Sequence, residues 1–430
     1  MRKIITFAAF TMLVIRTSTA LADSITLDES EAYGDTRWGV IPYAFATETL
    51  GTALGVATFV GGIKQPQSSL TAAAFKTSND SWLAAGSLNN LRFDGLDRGF
   101  FNIYALSAHY TDQRFYDSTD RTTIDSAGSN DSPADDFLSG TSNDLHLELS
   151  VRYPLPIGAA RDNPLTLYRT RKGLLLSDPQ GGDEWNPLKH GKTLLGARYF
   201  HRYRDLQEID QEELLAVSTN GVEVWLDYDN TDFLPNASRG SRQKLTLTRD
   251  FGWFSSSSSW TNIELDASKY FDLGRSGWFR QQVLALNFWT SYTPSWQVDE
   301  QSDRVNHRPP PGFGSTLGGF DRLRAFPTSR FHDKSAVYYA AELRLIPQVN
   351  GLNRLPLLRH LEIDWWQVAG FVEAGRVAPA YNSDLFTQDL KWDVGLSFRI
   401  MTFRMPLRLD WAISEEDQSI WAMYSQPFAR

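Results

Sequence analysis

Residues 317–344, LGGFDRLRAFPTSRFHDKSAVYYAAELR, pass from a loop rich in Gly, Pro and charge into a strictly alternating segment. In that segment Val337, Tyr339, Ala341, Leu343 and Leu345 share one face, and Tyr338, Ala340, Glu342 and Arg344 share the other. Side chains of a strand point alternately to its two faces, so this is a strand with one apolar and one charged surface. Charges buried in the core of a soluble sandwich would be ruinous. A barrel wall with lipid outside and water inside accommodates both faces, and closing the sheet removes edges that lipid cannot solvate. The loop ahead of the strand carries Asp321, Arg322, Arg324, Arg330 and Asp333, with Phe326 and Phe331 between them. Such a loop can fold into a polar lumen and pair with charges on its wall.

The same alternation recurs along the chain. Leu145, Leu147, Leu149 and Val151 alternate with His146, Glu148, Ser150 and Arg152. Val222, Val224 and Leu226 alternate with Glu223, Trp225 and Asp227, and Val394, Leu396 and Phe398 alternate with Gly395, Ser397 and Arg399. The pattern predicts an all-β fold, a transmembrane antiparallel β-barrel of about 16 strands with one long loop folded into the lumen. The strands are expected over 50–62, 69–77, 81–92, 99–111, 143–155, 165–176, 192–205, 219–230, 239–251, 258–272, 276–293, 335–347, 366–377, 391–402, 404–413 and 418–428. In that register the polar insert 112–143 falls on the periplasmic side, where connections are normally short.

Composition fits. Aromatic content is 13%, with 14 Trp, which suits girdles at two membrane interfaces. Mean hydropathy is −0.35, as expected where half of each strand faces water. Residues 1–22 read as a secretory signal: Arg2 and Lys3, an apolar run broken by Arg16, then Ala20-Leu21-Ala22. Residues 23–45 are then a short periplasmic lead and 46–430 the barrel. The formal net charge is −9, which disfavours nucleic acid as a partner. There is no Cys, so no disulfide and no thiolate metal site. The Asp-rich insert holds Asp112, Asp117, Asp120, Asp125, Asp131, Asp135, Asp136 and Asp144. Their spacing matches no defined calcium loop, and the Ser, Thr, Gly and Asn among them read as a solvated coil. No cofactor and no metal site is expected.

Five short motifs carry a family resemblance. Leu323-Arg324-Ala325-Phe326, preceded by Gly318 and Gly319, is close to [VL]-R-G-[FY]. Phe371-Val372-Glu373-Ala374-Gly375 is close to F-x-D-x-G, and Pro406-Leu407-Arg408-Leu409-Asp410 to P-L-R-x-D. Ser425-Gln426-Pro427-Phe428 resembles a terminal G-Q-P-F, and 227–231 with Arg239-Gly240 resembles a D-x-R/T…G turn. In this order the chain resembles the BamA/TamA superfamily of bacterial outer-membrane barrels, in a short form without POTRA domains. Ala325 replaces the motif glycine, which questions a turn of positive φ there. Alternation puts Glu373 and Gly375 in the lumen, so Glu373 can receive Arg324 in a charge-assisted bond shorter than about 4 Å that locks the loop to the wall. Phe326 belongs to the same lock.

The resemblance implies a barrel that inserts or translocates protein or another large substrate, with a weak seam between first and last strands. Those strands are expected at 50–62 and 420–428, where Gly51, Gly55, Gly61 and Gly62 lower pairing strength. Partners are then outer-membrane lipid and lipopolysaccharide and a periplasmic or barrel partner protein, and a homo-oligomer is compatible. A passive pore is an alternative, lined by Glu148, Arg152, Glu223, Asp227, Glu342, Arg344, Arg399 and Arg408. An outer-membrane lipase barrel needs a Ser beside a His, and His146 is the luminal candidate. No recognisable motif pairs it with a serine, so no catalytic residue is assigned.

Overall fold

In a computed structural model the described residues are 24–28, 36–47, 50–116, 127–182, 184–208, 214–299, 304–356, 358, 361, 363–402, 405–424 and 426–428. The expected signal segment, 1–22, lies outside them. Sixteen strands form one antiparallel sheet in chain order. They are β1 Arg37–Thr47, β2 Gly51–Gly61, β3 Ser69–Thr77, β4 Trp82–Leu91, β5 Phe100–Phe115, β6 Leu138–Pro154, β7 Lys192–Glu208 and β8 Leu214–Asp229. Then follow β9 Gly240–Asp250, β10 Trp260–Asp272, β11 Phe279–Tyr292, β12 Ser335–Pro347, β13 Trp365–Ala378, β14 Lys391–Thr402, β15 Met405–Ile413 and β16 Gln418–Tyr424.

The sheet curls into a barrel, and the two faces segregate as the alternation requires. On β13, Gln367 and Glu373 are buried inside while Val372 is exposed on the outer wall. On β8, Glu223 and Asp227 point in, and Val224 and Leu226 point out. No helix among the described residues is long and apolar enough to cross a membrane; the crossing elements are strands.

Two strand assignments differ from expectation, and they compensate. Residues 165–176 are not a wall strand. Thr166–Arg171 and Leu174–Leu175 form a hairpin that joins Ser24–Asp28 in a separate three-stranded sheet, with Ser24–Asp28 parallel to Thr166–Arg171. Its tip is fixed under the barrel: the Gly173 carbonyl accepts the Trp365 indole N–H at 2.9 Å, and a Cβ on Gly173 would lie 2.8 Å from the Asp364 side chain. Conversely, Arg37–Thr47, read as part of a polar lead, is the first wall strand and pairs with β2 over its whole length. Gly51 to Gly61 therefore belong to the second strand. Gly55 there has a packing reason: a Cβ would sit 2.4 Å from the Tyr43 ring of β1.

Moving the first strand forward moves the insert to the other end. The β5–β6 connection now leaves at the same end as the β11–β12 loop, opposite the start of β1 and the end of β16. It is also shorter than expected, because β5 runs to Phe115 and β6 begins at Leu138. We call the end at which β1 begins and β16 ends the near end and the other the far end. Within the strand order, β1 and β16 are the two extremes, and no ladder joins them among the described residues.

Candidate functional site

The β11–β12 loop turns inward and fills the lumen beside β10 to β16. Leu317, Leu323, Ala325, Phe326 and Phe331 are all buried in one cluster with Tyr270, Trp289, Tyr338 and Phe371 of the wall. Gly318 and Gly319 make the turn possible, with φ of +102° and +104°; a Cβ on Gly318 would lie 2.2 Å from the Pro327 carbonyl. At the motif position questioned above, Ala325 has no positive φ, in line with the loss of the glycine. Within the four-residue motif the positive φ falls on Leu323, at 54°. Ala325 instead donates its backbone N–H to Asp393 at 3.0 Å.

Arg324 is the centre of the site and is 1% exposed. Its Nε donates to Glu373 Oε1 at 3.0 Å, while its backbone N–H donates to Oε2 of the same carboxylate at 2.7 Å. One terminal nitrogen reaches Asp410 on β15 at 2.8 Å, and the other reaches Glu342 on β12 at 2.9 Å. The guanidinium lies 3.5 Å from the Phe371 ring centroid. Three carboxylates from three strands therefore converge on one planar cation, which is what a guanidinium with five fixed donors can satisfy and an ammonium cannot. Burial works against the charge, and Glu373, Asp410 and Glu342 outweigh it, holding Arg324 well above its usual range. The Arg324 carbonyl accepts the Trp421 indole N–H at 2.6 Å, which ties the loop to β16 as well. Tyr338 donates its hydroxyl to Glu373. Gly375 leaves room for the loop: a Cβ there would lie 3.0 Å from Leu317 and 2.8 Å from the Val337 carbonyl.

The acids are shared with the wall's own arginines. Arg399 donates to both oxygens of Glu342 at 3.0 Å, and Arg344 reaches Glu342 at 2.9 Å. Arg408 reaches Asp410 at 3.1 Å and the Phe320 carbonyl of the loop at 2.9 Å. The other luminal charges pair in the opposite half of the barrel. Arg198 bridges Glu148 at 3.0 Å and Glu223 at 2.6 Å, Arg242 grips Asp227 with two bonds, and Arg152 donates to Asn90. That half keeps a polar chamber of about 270 Å³, bounded on the loop side by Phe313 and Arg322.

Two features were not foreseen. Arg330, a loop residue with no role assigned from sequence, holds the far mouth. It donates to Glu416 in the β15–β16 turn at 2.8 Å and to the Ser132 hydroxyl and carbonyl at 2.8 and 2.7 Å. The β5–β6 insert is thus fastened to the plugging loop; His332 and Gly128 add a backbone bond of 2.7 Å. Asp144, read as one of the insert's acids, lies in β6 and binds Arg202 and Arg204 at 2.6 and 2.7 Å.

The second is the segment 426–428. The wall strand expected over 418–428 stops at Tyr424, and 426–428 enter the lumen. Phe428 is 2% exposed, with the Arg344 guanidinium 5.3 Å from its ring, and Gln426 accepts from Arg399 at 3.2 Å.

His146 faces Glu148 at 3.0 Å and packs edge-on against Tyr104 and Phe313. A Ser–His hydrogen bond does occur elsewhere, Ser259 to His307 at 2.9 Å on the exposed far rim. The same Nδ1 lies 3.0 Å from the Ser259 carbonyl, and a ring nitrogen donating to a carbonyl cannot take a hydroxyl proton.

A sequence model of the Omp85 superfamily domain matches residues 102–420. The chain belongs to the Omp85 superfamily. This makes it an outer-membrane barrel of the BamA/TamA type and places it in the bacterial outer membrane. Among solved structures the Omp85 barrel of this chain is similar to CdiB from Escherichia coli, with 11% identity and a TM-score of 0.53. The alignment covers 89% of this chain and 59% of that one. At this identity the likeness concerns the fold. No curated protein matches the sequence.

Proposed function

We propose that this Omp85 barrel moves or inserts polypeptide at the outer membrane, and that the Arg324 loop is a removable plug rather than a permanent core. The observation that carries the reading is the way the loop is held. Beside its apolar cluster, the polar contacts that fix the loop inside the barrel centre on one buried cation shared among Glu342, Glu373 and Asp410. An apolar core would hold a loop at less desolvation cost, whereas a buried ionic anchor stabilises one geometry and fails when any partner is lost. The seam adds a route sideways: β1 and β16 end the strand order, and residues 426–428 leave the wall for the lumen. An unpaired edge can accept another strand by backbone pairing.

The test has two arms. Photo-crosslinkers are placed along β1 and β16, with matched sites on the outer faces of β8 and β9 as controls. Polypeptide captured at the seam and not at the control sites supports handling of protein. Equal capture at both would remove the proposal. In the second arm, planar-bilayer conductance is compared with and without residues 294–333. A passive pore conducts with the loop in place, using the chamber beside Arg198 and Lys244; a plugged transport barrel opens only on deletion.

A further inference from the structure

On the outer wall, β9 to β13 form a groove of about 670 Å³ with an almost wholly apolar surface. Two adjacent rows across the strands make it. One row runs Lys269, Leu286, Ala341, Val372, and the next runs Ala267, Phe288, Tyr339, Ala374. The alanines form a floor below the neighbouring Leu and aromatic side chains.

Lys269 breaks the apolar rule of this face. It is exposed on the outer wall, three residues before the near end of β10 at Asp272. Its ammonium lies 5.9 Å from the Phe271 ring, on the near-end side, and no carboxylate pairs with it among the described residues. Gln243 of β9 lines the same groove; its carbonyl oxygen accepts from Trp185 at 2.9 Å, which leaves its NH₂ as a donor. An unpaired ammonium on a lipid-facing wall is unfavourable unless it reaches the interface or meets an anion. An apolar trough ending at such an ammonium and an amide donor has the two chemistries of a glycerophospholipid: acyl chain and phosphate. With the near end on the periplasmic side, opposite the mouth that holds the β5–β6 insert and the plugging loop, this end of the groove opens on the leaflet made of phospholipid.

We propose that the groove seats one glycerophospholipid of the periplasmic leaflet, its phosphate on Lys269 and Gln243 and an acyl chain across Ala341 and Ala374. The full chain in detergent is titrated with dioleoyl phosphatidylglycerol and followed by native mass spectrometry. The wild-type protein retains a lipid that survives activation. Lys269→Met binds about ten-fold more weakly, the size expected for losing one charge-assisted bond. Ala341→Phe fills the floor and loses the lipid with Lys269 intact. Lys76→Met on β3, whose ammonium pairs with Asp80 at 3.1 Å, behaves as wild type. Dioleoylglycerol, which lacks the phosphate, is not retained. Folding of each variant is read separately from its heat-modifiable gel migration. Unchanged binding by Lys269→Met, equal retention of dioleoylglycerol, preference for lipopolysaccharide, or a second copy of the barrel occupying this face would each overturn the assignment.

Discussion

At Arg324 one side chain answers to three carboxylates and one aromatic face. Arg324→Ala leaves Glu342, Glu373 and Asp410 facing one another without their shared cation, and breaking a buried ion network in this way costs roughly 3–5 kcal/mol. The expected result is a lower denaturant midpoint and a loop that becomes protease-sensitive in the folded barrel. Arg324→Lys should recover little, because a point charge cannot reach three acids at fixed angles. Recovery of wild-type stability by Lys would show that charge alone holds the loop. Gly375→Val tests the same seat sterically: its Cβ would meet Leu317 and the Val337 carbonyl, so the loop shifts while every charge remains. Increased bilayer conductance is the expected readout. From the sequence, Arg324 and Glu373 could be brought together because alternation fixes which side of β13 faces in. Glu342 and Asp410 were visible only as separate luminal or motif residues. Their convergence depends on how deeply the loop enters and on the stagger of β12, β13 and β15, neither of which a single strand's pattern contains. The positive φ at Leu323 was equally hidden, since nothing in a leucine announces that conformation.

Among the elements, the strands showed themselves by period and the connections did not. Thr166–Arg171 alternates as a wall strand does, and only its hairpin at Lys172-Gly173, with φ of +50° and +65°, turns it back on Leu174–Leu175. Arg37–Thr47 was obscured by Pro42 and by its neighbourhood of polar residues, and Pro is tolerated in an edge strand where its missing donor is not needed. The two errors left the count at sixteen, so the count alone gave no warning. The misplaced insert did, because a long connection sat where barrels keep short ones. The corrected topology makes the β5–β6 insert and the β11–β12 loop a joined assembly at the far mouth, with Arg330 as the fastener. Arg330→Ala removes its bonds to Ser132 and Glu416 together. We expect hydrogen exchange to rise in 127–137 and 414–417 and not in β13, since Arg324 still anchors the loop below. Exchange rising throughout 317–332 would mean that the two arginines act as one unit.

For the whole molecule, the asymmetry of the barrel is the property with mechanical consequences. From β10 to β16 the lumen is packed with the loop, the ion pairs of Arg344, Arg399 and Arg408 and residues 426–428; on its other side, from β4 to β10, it keeps a polar chamber. The seam lies where the packed half meets β1, and 426–428 enter the lumen beside Arg344 and Arg399 instead of extending β16 along it. A last strand shortened in this way offers β1 fewer partners, and we propose the seam as the weakest line of the wall, since among the described residues every other neighbouring pair of wall strands is joined by a ladder. The chain contains no Cys, so any cysteine pair introduced there is the only one present. Single cysteines placed along β1 and along β16, combined pairwise and oxidised, should give at least one pair that crosslinks readily, since a disulfide needs Cα atoms within about 7 Å. Crosslinking that pair should abolish capture of polypeptide at seam photo-crosslinkers, and reduction should restore it. The same oxidation applied to a β8–β9 pair, across a complete ladder, should change nothing. If sealing the seam leaves capture intact, polypeptide does not enter between β1 and β16, and the shortened last strand serves only to bring Pro427 and Phe428 to Arg344.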